Sequence, residues 1–407
     1  MQNERLPILK RLWSLPGHSS MTRQLGRLQS PGSSSQGVIL VVRLDQIGDV
    51  ILTYPLLAAL KEVRPNHHLV LVTKPGVAEF AKSTSPADEI FSFDPGNSRL
   101  SNSSMRRQVT AMRLARRLVN QVGAIELAIV PRRGLDYLHA TQLAALCNPD
   151  RLAGFGAAHQ EPTQVFQKSR TLLDLDVDIK SGIHESRQPF AILDALHMKA
   201  KPRPPHFELP TDAIGAAEAT WDRLAGKSKR VVLVAGAGHP RRQWPTERFA
   251  QVLETAGTRV PMTCIALGTA DESALTPPST DSTTIHNHCG HYSLLESAAL
   301  IACSDVVLTN ETGPMHIAAA LNRPLVAVSC HPEGGDPDHV NAPERFGPLS
   351  ENARLARPSS ATPGCETGCD ADAPCCILRI TADEVLKDFS MTLKDLDLES
   401  PIEDRPK

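Results

Sequence analysis

The segment VILVVRLDQIGDV, residues 38–50, decides the fold. Its first part, Val38–Leu44, is a short run rich in β-branched residues, which is typical of a strand buried on both faces of a parallel sheet. A polar loop follows, and Ile51–Val63 then carries apolar residues at helical spacing and stops before Pro65. A strand, a short loop and a helix in this order predict the first half of a βαβ unit.

The same alternation of apolar runs continues along the chain from this segment. In the N-terminal half we predict further strands at Leu69–Thr73 and Ala124–Val130, and a helix at His184–His197. In the C-terminal half the predicted strands are 231–235, 262–267, 305–309 and 325–329, and the predicted helices are 246–255, 293–302 and 314–321. This pattern indicates an α/β fold with two doubly wound, mostly parallel sheets.

A stretch rich in proline and polar residues, Lys199–Leu209, separates the two runs and is typical of a domain boundary. We therefore predict a flexible basic tail at 1–36, Rossmann-like domains at 37–200 and 201–390, and a second tail at 391–407. Two such domains would face each other across a cleft. Ligands of doubly wound sheets bind outside the carboxyl ends of the strands, so three loops at strand ends are the candidates for chemistry.

Composition excludes several classes of protein. The chain has 407 residues, 41% of them hydrophobic, and its 43 Lys+Arg nearly balance 45 Asp+Glu. This apolar content argues against disorder, and the missing basic surplus disfavours a nucleic-acid partner. We see no apolar run of about 18 residues and no cleavable signal, so we expect a cytoplasmic protein. The tail at 1–36 combines basic and apolar residues and could touch an anionic membrane, although a loose terminus is the simpler interpretation.

The first loop, Arg43–Asp49, follows the first strand. Gly48 permits a close backbone approach or an unusual φ, and Asp49 falls at the start of the next helix. Aspartate is a favoured helix N-cap, which is the structural interpretation of this residue. A carboxylate at a strand end also suits a general base. Both interpretations of Asp49 stay open at this point.

The second loop, Ala235–Pro245, contains Gly236, Gly238 and Arg242. It is not a dinucleotide fingerprint, because an arginine stands where GxGxxG needs its third glycine, and no Gly-Lys-Ser/Thr of a P-loop follows. Small residues that allow backbone N–H groups to approach, followed by two arginines, nevertheless suit a phosphate. A solvated turn with surface arginines is the alternative.

The third loop runs from Thr309 to His316 and leads into a helix. Gly313, followed by a proline, leaves N–H groups of the first helical turn able to face an anion. Thr312 is a candidate helix cap, and Glu311 is a candidate to hold ribose hydroxyls. His316 lies in the first turn, where a structural role is the common alternative to a functional one.

These residues resemble those of the bacterial heptosyltransferases, glycosyltransferase family 9. The likeness runs from about Val38 to Phe389 and is strongest in three segments: VVRLDQIGDVILTYPLLAAL at 41–60, VVLVAGAGHPRRQWPTERFA at 231–250, and YSLLESAALIACSDVVLTNETGPMHIAAALNRPLVAV at 292–328. The resemblance implies the GT-B fold and a metal-independent, inverting transfer of heptose from an ADP-sugar to a lipopolysaccharide core acceptor. No cofactor is then required, the ADP-sugar is a co-substrate, and a glycolipid or glycan is the other partner.

The resemblance also implies roles for individual residues. Asp49 would be the general base, and Arg242 would neutralise the diphosphate. The nucleotide-sugar loop would include Thr312, Gly313 and His316, and Tyr292 would line the adenine pocket. We place Arg43, Gly48, Arg132 and Arg133 on the acceptor side, although for the last two a surface position is the simpler expectation.

Two departures from the family pattern bear on the substrates. Glu311 stands where aspartate is usual, and Val130-Pro-Arg-Arg-Gly replaces a segment that usually contains aspartate. These departures leave the acceptor and the sugar open, so the donor could carry heptose or a related sugar. The alternative functions are a nucleotide-dependent oxidoreductase or epimerase on the same fold, or a non-catalytic glycan-binding relative. The absence of GxGxxG counts against the oxidoreductase.

Four of the nine cysteines are concentrated near the C-terminus, at Cys365, Cys369, Cys375 and Cys376. Four thiolates can hold zinc or iron tetrahedrally, although the adjacent pair is awkward for a single site. A disulfide is disfavoured in a reducing compartment. Because the family often has cysteine near this position, we interpret the cluster as a structural staple before a final helix at Thr381–Asp388, with a bound metal as the alternative.

Overall fold

The computed structural model of the protein describes residues 37–94, 96, 104–134, 136, 138–156 and 170–399. The predicted tail at 1–36, with its possible membrane contact, lies outside these residues. The chain divides into two compact units. The first unit contains the described residues up to Lys180 together with Ser186–Arg203, and the second contains Ser181–Glu185 and the described residues from Pro204 onward.

The first unit is built on a six-stranded parallel sheet. Its strands are β1 (Val38–Val42), β2 (His68–Thr73), β3 (Glu89–Ser92), β4 (Ile125–Val130), β5 (Arg151–Gly154) and β6 (Leu175–Asp176). The strand order is β3-β2-β1-β4-β5-β6, and every adjacent pair is parallel. The helices are α1 (Ile47–Ile51), α2 (Tyr54–Val63), α3 (Pro75–Thr84), α4 (Ser104–Val122), α5 (Ala140–Leu146) and α6 (Pro189–Ala195).

The second unit repeats this architecture. Its strands are β7 (Lys229–Val234), β8 (Met262–Ala266), β9 (Thr283–Asn287), β10 (Val306–Asn310), β11 (Leu325–Val328) and β12 (Ala353–Ala356), in the parallel order β12-β11-β10-β7-β8-β9. The helices are α7 (Thr211–Ala225), α8 (Thr246–Gly257), α9 (Leu294–Ala302), α10 (Gly313–Ala320), α11 (Pro343–Phe346) and α12 (Ala382–Glu399). Short 3₁₀ helices occupy Pro240–Arg242, Ala270–Leu275 and Cys376–Arg379.

The predicted α/β class with two parallel sheets is confirmed. All five residues of β1 are buried, as the run of β-branched residues predicted. Leu40 packs in one core cluster with Leu118 of α4 and Leu143 of α5, while Leu308 of β10 shares another with Phe389 of α12. Helices therefore cover the sheets, which explains why the central strands are apolar on both faces.

Three predicted helices differ from the structure. The helix predicted at Ile51–Val63 is split into α1 and α2, because Pro55 in the first turn of α2 lacks the N–H that a continuous helix would need. The final helix extends to Glu399, so the first part of the predicted 391–407 tail is helical.

The helix predicted at His184–His197 is confined to Pro189–Ala195. His184 donates from Nε2 to the Gly347 carbonyl at 3.0 Å, and the Glu185 carboxylate pairs with Arg345 at 2.8 Å. These tertiary contacts hold the preceding residues in the second unit and outside the helix.

Among the helices of the described ranges, none has both the length and the apolar character that crossing a bilayer requires.

Candidate active site

Asp49 lies at the carboxyl edge of the first sheet, in the first turn of α1. Gln46 is the N-cap of this helix, so Asp49 is not the N-cap itself but the third helical residue, which belongs to the capping box. The Asp49 carboxylate instead reaches back to accept a hydrogen bond from the Gln46 N–H at 3.3 Å, and it accepts a second from Arg43 Nη2 at 2.8 Å. Because 23% of the side chain remains exposed, a substrate hydroxyl can approach this oriented carboxylate.

Gly48 precedes Asp49 within α1 and is buried. It has helical backbone and is not among the glycines with positive φ, so no unusual conformation requires glycine here. Its missing side chain keeps the backbone beside Asp49 accessible to close packing.

Arg43 is buried, with 2% of the residue exposed. Nη1 donates to the Pro131 carbonyl beyond β4 at 3.0 Å, and Nε pairs with Asp45 at 2.9 Å. Together with the bond to Asp49, these contacts engage each of the three guanidinium nitrogens once. These contacts fit a role in positioning Asp49, and the acceptor-side role of Arg43 stays a prediction.

Arg132 and Arg133 follow β4 and are not the surface arginines that composition would favour. Arg132 pairs with the second carboxylate oxygen of Asp45, and its side chain is 13% exposed, while Arg133 is 8% exposed. Asp45 therefore joins the ends of β1 and β4 through two arginines. This network fixes the loops around Asp49 because charge-assisted hydrogen bonds are both strong and directional.

Lys74 interacts electrostatically with Asp49, and the sequence reasoning did not single it out. It follows β2, the neighbour of β1, and is half-buried at the start of α3. Burial lowers the pKa of its ammonium group, and the negative charges of Asp49 and Asp94 partly oppose that effect. The available signal was its place directly after a predicted strand, in the dipeptide Lys-Pro.

In the second unit, the loop after β7 is shaped by its two glycines. A Cβ at Gly236 would lie 2.1 Å from a carboxylate oxygen of Glu272, and one at Gly238 would lie 3.1 Å from Arg242 Nη2. The first contact excludes any side chain unless Glu272 moves. The second places the Arg242 guanidinium against the loop backbone, as a phosphate site of backbone and arginine requires.

Asn310 joins this loop to the third one and was not predicted. It ends β10 and is fully buried. Its Oδ1 accepts from the Trp244 N–H at 3.1 Å, and its Nδ2 donates to the Ala235 carbonyl at 2.7 Å. Both ends of the second loop are therefore held by one amide from the strand that leads to the third. An asparagine at the end of an apolar strand was the available signal.

Glu311 is buried rather than presented to a ribose, with 3% of the residue exposed. Its carboxylate accepts a hydrogen bond from the Ser329 hydroxyl beyond β11. Burial raises the pKa of Glu311 to about 7, although the Ser329 bond and the charge of Arg242 act in the opposite direction. The carboxyl group is therefore protonated in a large fraction of molecules near neutral pH.

Thr312 and Gly313 begin α10. Thr312 occupies the N-cap position with extended backbone, but its side chain makes no capping hydrogen bond, so the predicted capping contact is absent. Pro314 follows in the first turn. The amide groups of a first helical turn have no partners within the helix, and the helix dipole favours an anion beside them.

His316 is the fourth residue of α10 and is buried. Burial lowers the pKa of His316 to about 3, and the positive charges of His184 and Arg242 act in the same direction. The imidazole is therefore neutral at physiological pH. Because Arg242 acts on both Glu311 and His316, the structure brings the predicted residues of the second and third loops into one electrostatic group.

Tyr292 lies beyond β9, two strands from β7 in the sheet. Its hydroxyl bonds to His288 Nδ1 at 3.0 Å, and the two rings are stacked with their centroids 5.3 Å apart. His291 also packs on His288 at 5.6 Å. The sequence reasoning missed these histidines, although the run HNHCGHY at 286–292 was visible. The stacked pair offers a flat aromatic surface beside a polar edge.

Comparison with known proteins decides the family. A family model described as glycosyltransferase family 9 (heptosyltransferase) matches residues 126–369, which is more than half of the chain. The chain belongs to glycosyltransferase family 9. The matched residues of this family member include both loops of the second unit, whereas Asp49 and Arg43 lie outside them.

Individual relatives of the family 9 chain agree with this assignment. Lipopolysaccharide heptosyltransferase 2 of Escherichia coli (strain K12) is 39% identical over 71 residues, which are 17% of this chain and 18% of that protein. The aligned part is thus less than a fifth of the curated relative.

Solved structures show the same fold. The glycosyl transferase family 9 protein from Veillonella parvula has a TM-score of 0.69 and 19% identity, covering 88% of this chain and 97% of that one. The E. coli ADP-heptose lps heptosyltransferase II has a TM-score of 0.66 and 17% identity, covering 88% and 99%. The predicted GT-B fold is confirmed by these likenesses.

Proposed function

We propose that this family 9 chain transfers a heptose from an ADP-sugar to a lipopolysaccharide core or similar glycan, with inversion at the anomeric carbon. The observation that carries the proposal is the group formed by Arg242, the start of α10 and the neutral His316, at the carboxyl edge of the second sheet. This group would suit an anionic leaving group, and the matching family model is described as a heptosyltransferase. The E. coli structure named an ADP-heptose heptosyltransferase supports the same donor.

The donor would be held by the second unit. The diphosphate would lie against the N–H groups of Thr312 and Gly313 and the guanidinium of Arg242, where the helix dipole and a charge-assisted hydrogen bond both favour it. Gly236 and Gly238 would keep the loop backbone close. The stacked Tyr292 and His288 rings would take the adenine. Glu311 would support the loop from beneath, and its protonated form adds no negative charge beside the phosphates.

The base would be supplied by the first unit. As the acceptor hydroxyl oxygen attacks C1 of the sugar, its proton would pass to the Asp49 carboxylate, and the bond between C1 and the diphosphate oxygen would break. Attack opposite the leaving group inverts C1. Arg43 would be a positioning residue. The cations Lys74, Arg132 and Arg133 line the same sheet edge and suit anionic groups of the acceptor.

The charge that develops on departing ADP would be met by Arg242 and α10. We therefore propose that transfer needs no metal ion. We also propose that the reaction takes place at the cytoplasmic face of the inner membrane, where the lipid-linked acceptor would be met, and that nucleic acid is not a partner.

A thermal-shift panel of ADP, UDP, GDP and NAD tests the donor class. We expect ADP to raise the melting temperature most, since it is the nucleotide of the proposed donor. A ligand at 100 times its Kd stabilises a protein by about 2.7 kcal/mol, so binding gives a measurable shift. Arg242→Ala should remove the shift, while Arg259→Ala, which changes an exposed arginine just after the C-terminal end of α8, should keep it. A shift with NAD alone would instead favour the oxidoreductase. No shift with any nucleotide would favour the non-catalytic relative.

A further inference from the structure

Cys365, Cys369, Cys375 and Cys376 come together in the second unit as a four-cysteine cluster. Their four sulfur atoms all lie within 4.8 Å of one another, and all four are free thiols. In a tetrahedral site with metal–sulfur distances of about 2.3 Å, neighbouring sulfurs are about 3.8 Å apart. Small side-chain rotations therefore suffice to complete such a site.

The adjacent pair, which seemed awkward in the sequence, is accommodated by a turn in the backbone. Cys375 precedes the 3₁₀ helix Cys376–Arg379 with φ −136° and ψ −91°. This conformation lets both neighbouring side chains reach the same group of sulfurs. Cys365 and Cys369 approach from the preceding loop. Two chain segments thus supply two ligands each, as in many structural metal sites.

The surroundings of the cluster fit thiolates bound to a cation. Cys369 and Cys376 are fully buried and share the core cluster with Ile377 and Phe389. The Thr362 N–H points to Cys376 Sγ at 3.5 Å, which is the kind of outer contact that orients a ligating sulfur. An apolar shell also limits access of water to the site.

We propose that the four-cysteine cluster binds one thiophilic transition-metal ion, zinc or iron, and that this metal fixes the loop that carries Arg241 and Arg242. Each thiol gives up its proton to solvent when its sulfur coordinates the ion. The site is separate from the transfer chemistry, and only its effect on ADP rests on the proposed function.

Arg241 and Trp244 connect the four-cysteine cluster to the loop after β7. Arg241 Nη1 donates to the Cys369 carbonyl at 3.3 Å and to Asp370 Oδ1 at 3.1 Å. Trp244 Nε1 donates to the Ile380 carbonyl, just beyond the 3₁₀ helix, at 3.0 Å. The two segments that supply the sulfurs therefore also hold both sides of Arg242. Loss of the metal should loosen these anchors and weaken ADP binding.

Metal analysis of the full chain, purified without added metal or chelator, tests the site. We expect zinc or iron at close to one ion per chain in the wild type and in Cys303→Ser, a half-buried cysteine outside the cluster. Cys369→Ser should lose it. Cobalt substitution should give the absorption of tetrahedral thiolate coordination. A wild type with neither zinc nor iron, or with disulfides between these cysteines, would overturn the proposal.

A second measurement uses only the wild type, so its result does not depend on whether Cys369→Ser folds. Titration of the folded wild type with a mercurial should release the ion in step with modification of the cluster thiols, as read by a metal-sensitive dye. If the cluster thiols react and no metal is released, the result would contradict the proposed metal site.

Calorimetry with ADP measures the coupling between the metal site and the loop after β7. We expect the Kd for ADP to rise by about tenfold when the metal is removed, a size typical of the coupling between two distinct sites, and to recover on reloading. An unchanged Kd would overturn the link to Arg242. If the metal-loaded wild type bound no ADP at all, the proposed function would fail while the metal analysis would still decide the site.

Discussion

At the scale of single residues, Glu311 sets the charge beneath the start of α10. Its folded pKa of about 7 lies above the ordinary value of 4.5. Its contribution to stability is thus fully present below pH 4.5 and is lost as the pH rises through about 7. Between pH 4.5 and pH 8, we expect the free energy of unfolding of the wild type to fall by roughly 2–4 kcal/mol relative to that of Glu311→Gln. Urea unfolding of both proteins at several pH values measures this, and parallel curves would contradict it.

The same titration should appear in donor binding. Ionised Glu311 places a negative charge near Arg242, so the affinity for ADP should fall as the pH rises past about 7. Glu311→Gln should show a flatter profile. His316, with its pKa of about 3, cannot produce this inflection. Calorimetry from pH 5.5 to pH 8.5 checks the expectation, and equal pH profiles for both proteins would show that Glu311 does not sense the diphosphate.

Asp49 separates catalysis from binding. Asp49→Asn keeps the size of the side chain and an acceptor for Arg43, but it removes the proton-accepting carboxylate. We expect the transfer rate to fall by 10²-fold or more, since general-base catalysis contributes about 10²–10⁴-fold, with the Kd for ADP unchanged. Glu79→Gln, an exposed carboxylate on α3, is the matched control and should retain full activity. Loss of ADP binding together with transfer would mark Asp49 as structural.

Sequence reasoning at this scale selects residues that a motif fixes and misses residues whose surroundings are set by tertiary contacts. Asp49 and Arg242 were predicted from the strand-end loops that contain them. Lys74 and Asn310 were not, because their importance arises from the neighbouring strand that each one meets. Arg43 was placed on the acceptor side, and the sequence could not show that its guanidinium contacts Asp49, Asp45 and the Pro131 carbonyl.

At the scale of elements, the loop after β7 depends on the Asn310 side chain at the end of β10. Asn310→Ala leaves the Trp244 N–H and the Ala235 carbonyl without their buried partner, which should cost about 2–4 kcal/mol of stability. The loop carrying Arg242 should also bind ADP less tightly. Asn66→Ala, an exposed residue before β2, is the control. Denaturant unfolding and calorimetry test both effects. An Asn310→Ala variant as stable as the wild type would show that the Asn310 side chain does not hold this loop.

Helix boundaries show why local pattern is insufficient at this scale. The apolar spacing of 184–197 suggests one helix, yet His184 and Glu185 are held by Gly347 and Arg345 far along the chain. No periodicity within the segment contains that information. The break between α1 and α2, in contrast, was visible in Pro55 and could have been predicted.

At the scale of the whole molecule, the sequence predicted the centre of each sheet and not its edges. The seven predicted strands correspond to β1, β2 and β4 of one sheet and to β7, β8, β10 and β11 of the other. These are continuous apolar runs because both of their faces are covered. The outer strands β3, β5, β6, β9 and β12 have two to five residues and are partly exposed, so their composition resembles that of loops.

Transfer itself is the most direct test of the account. Wild-type protein is incubated with ADP-heptose and a heptose-deficient lipopolysaccharide core, without added divalent metal, and the acceptor is analysed by mass spectrometry. The account predicts an acceptor heavier by one heptosyl unit, with ADP released in equal amount. An acceptor of unchanged mass, from protein that still binds ADP, would contradict it.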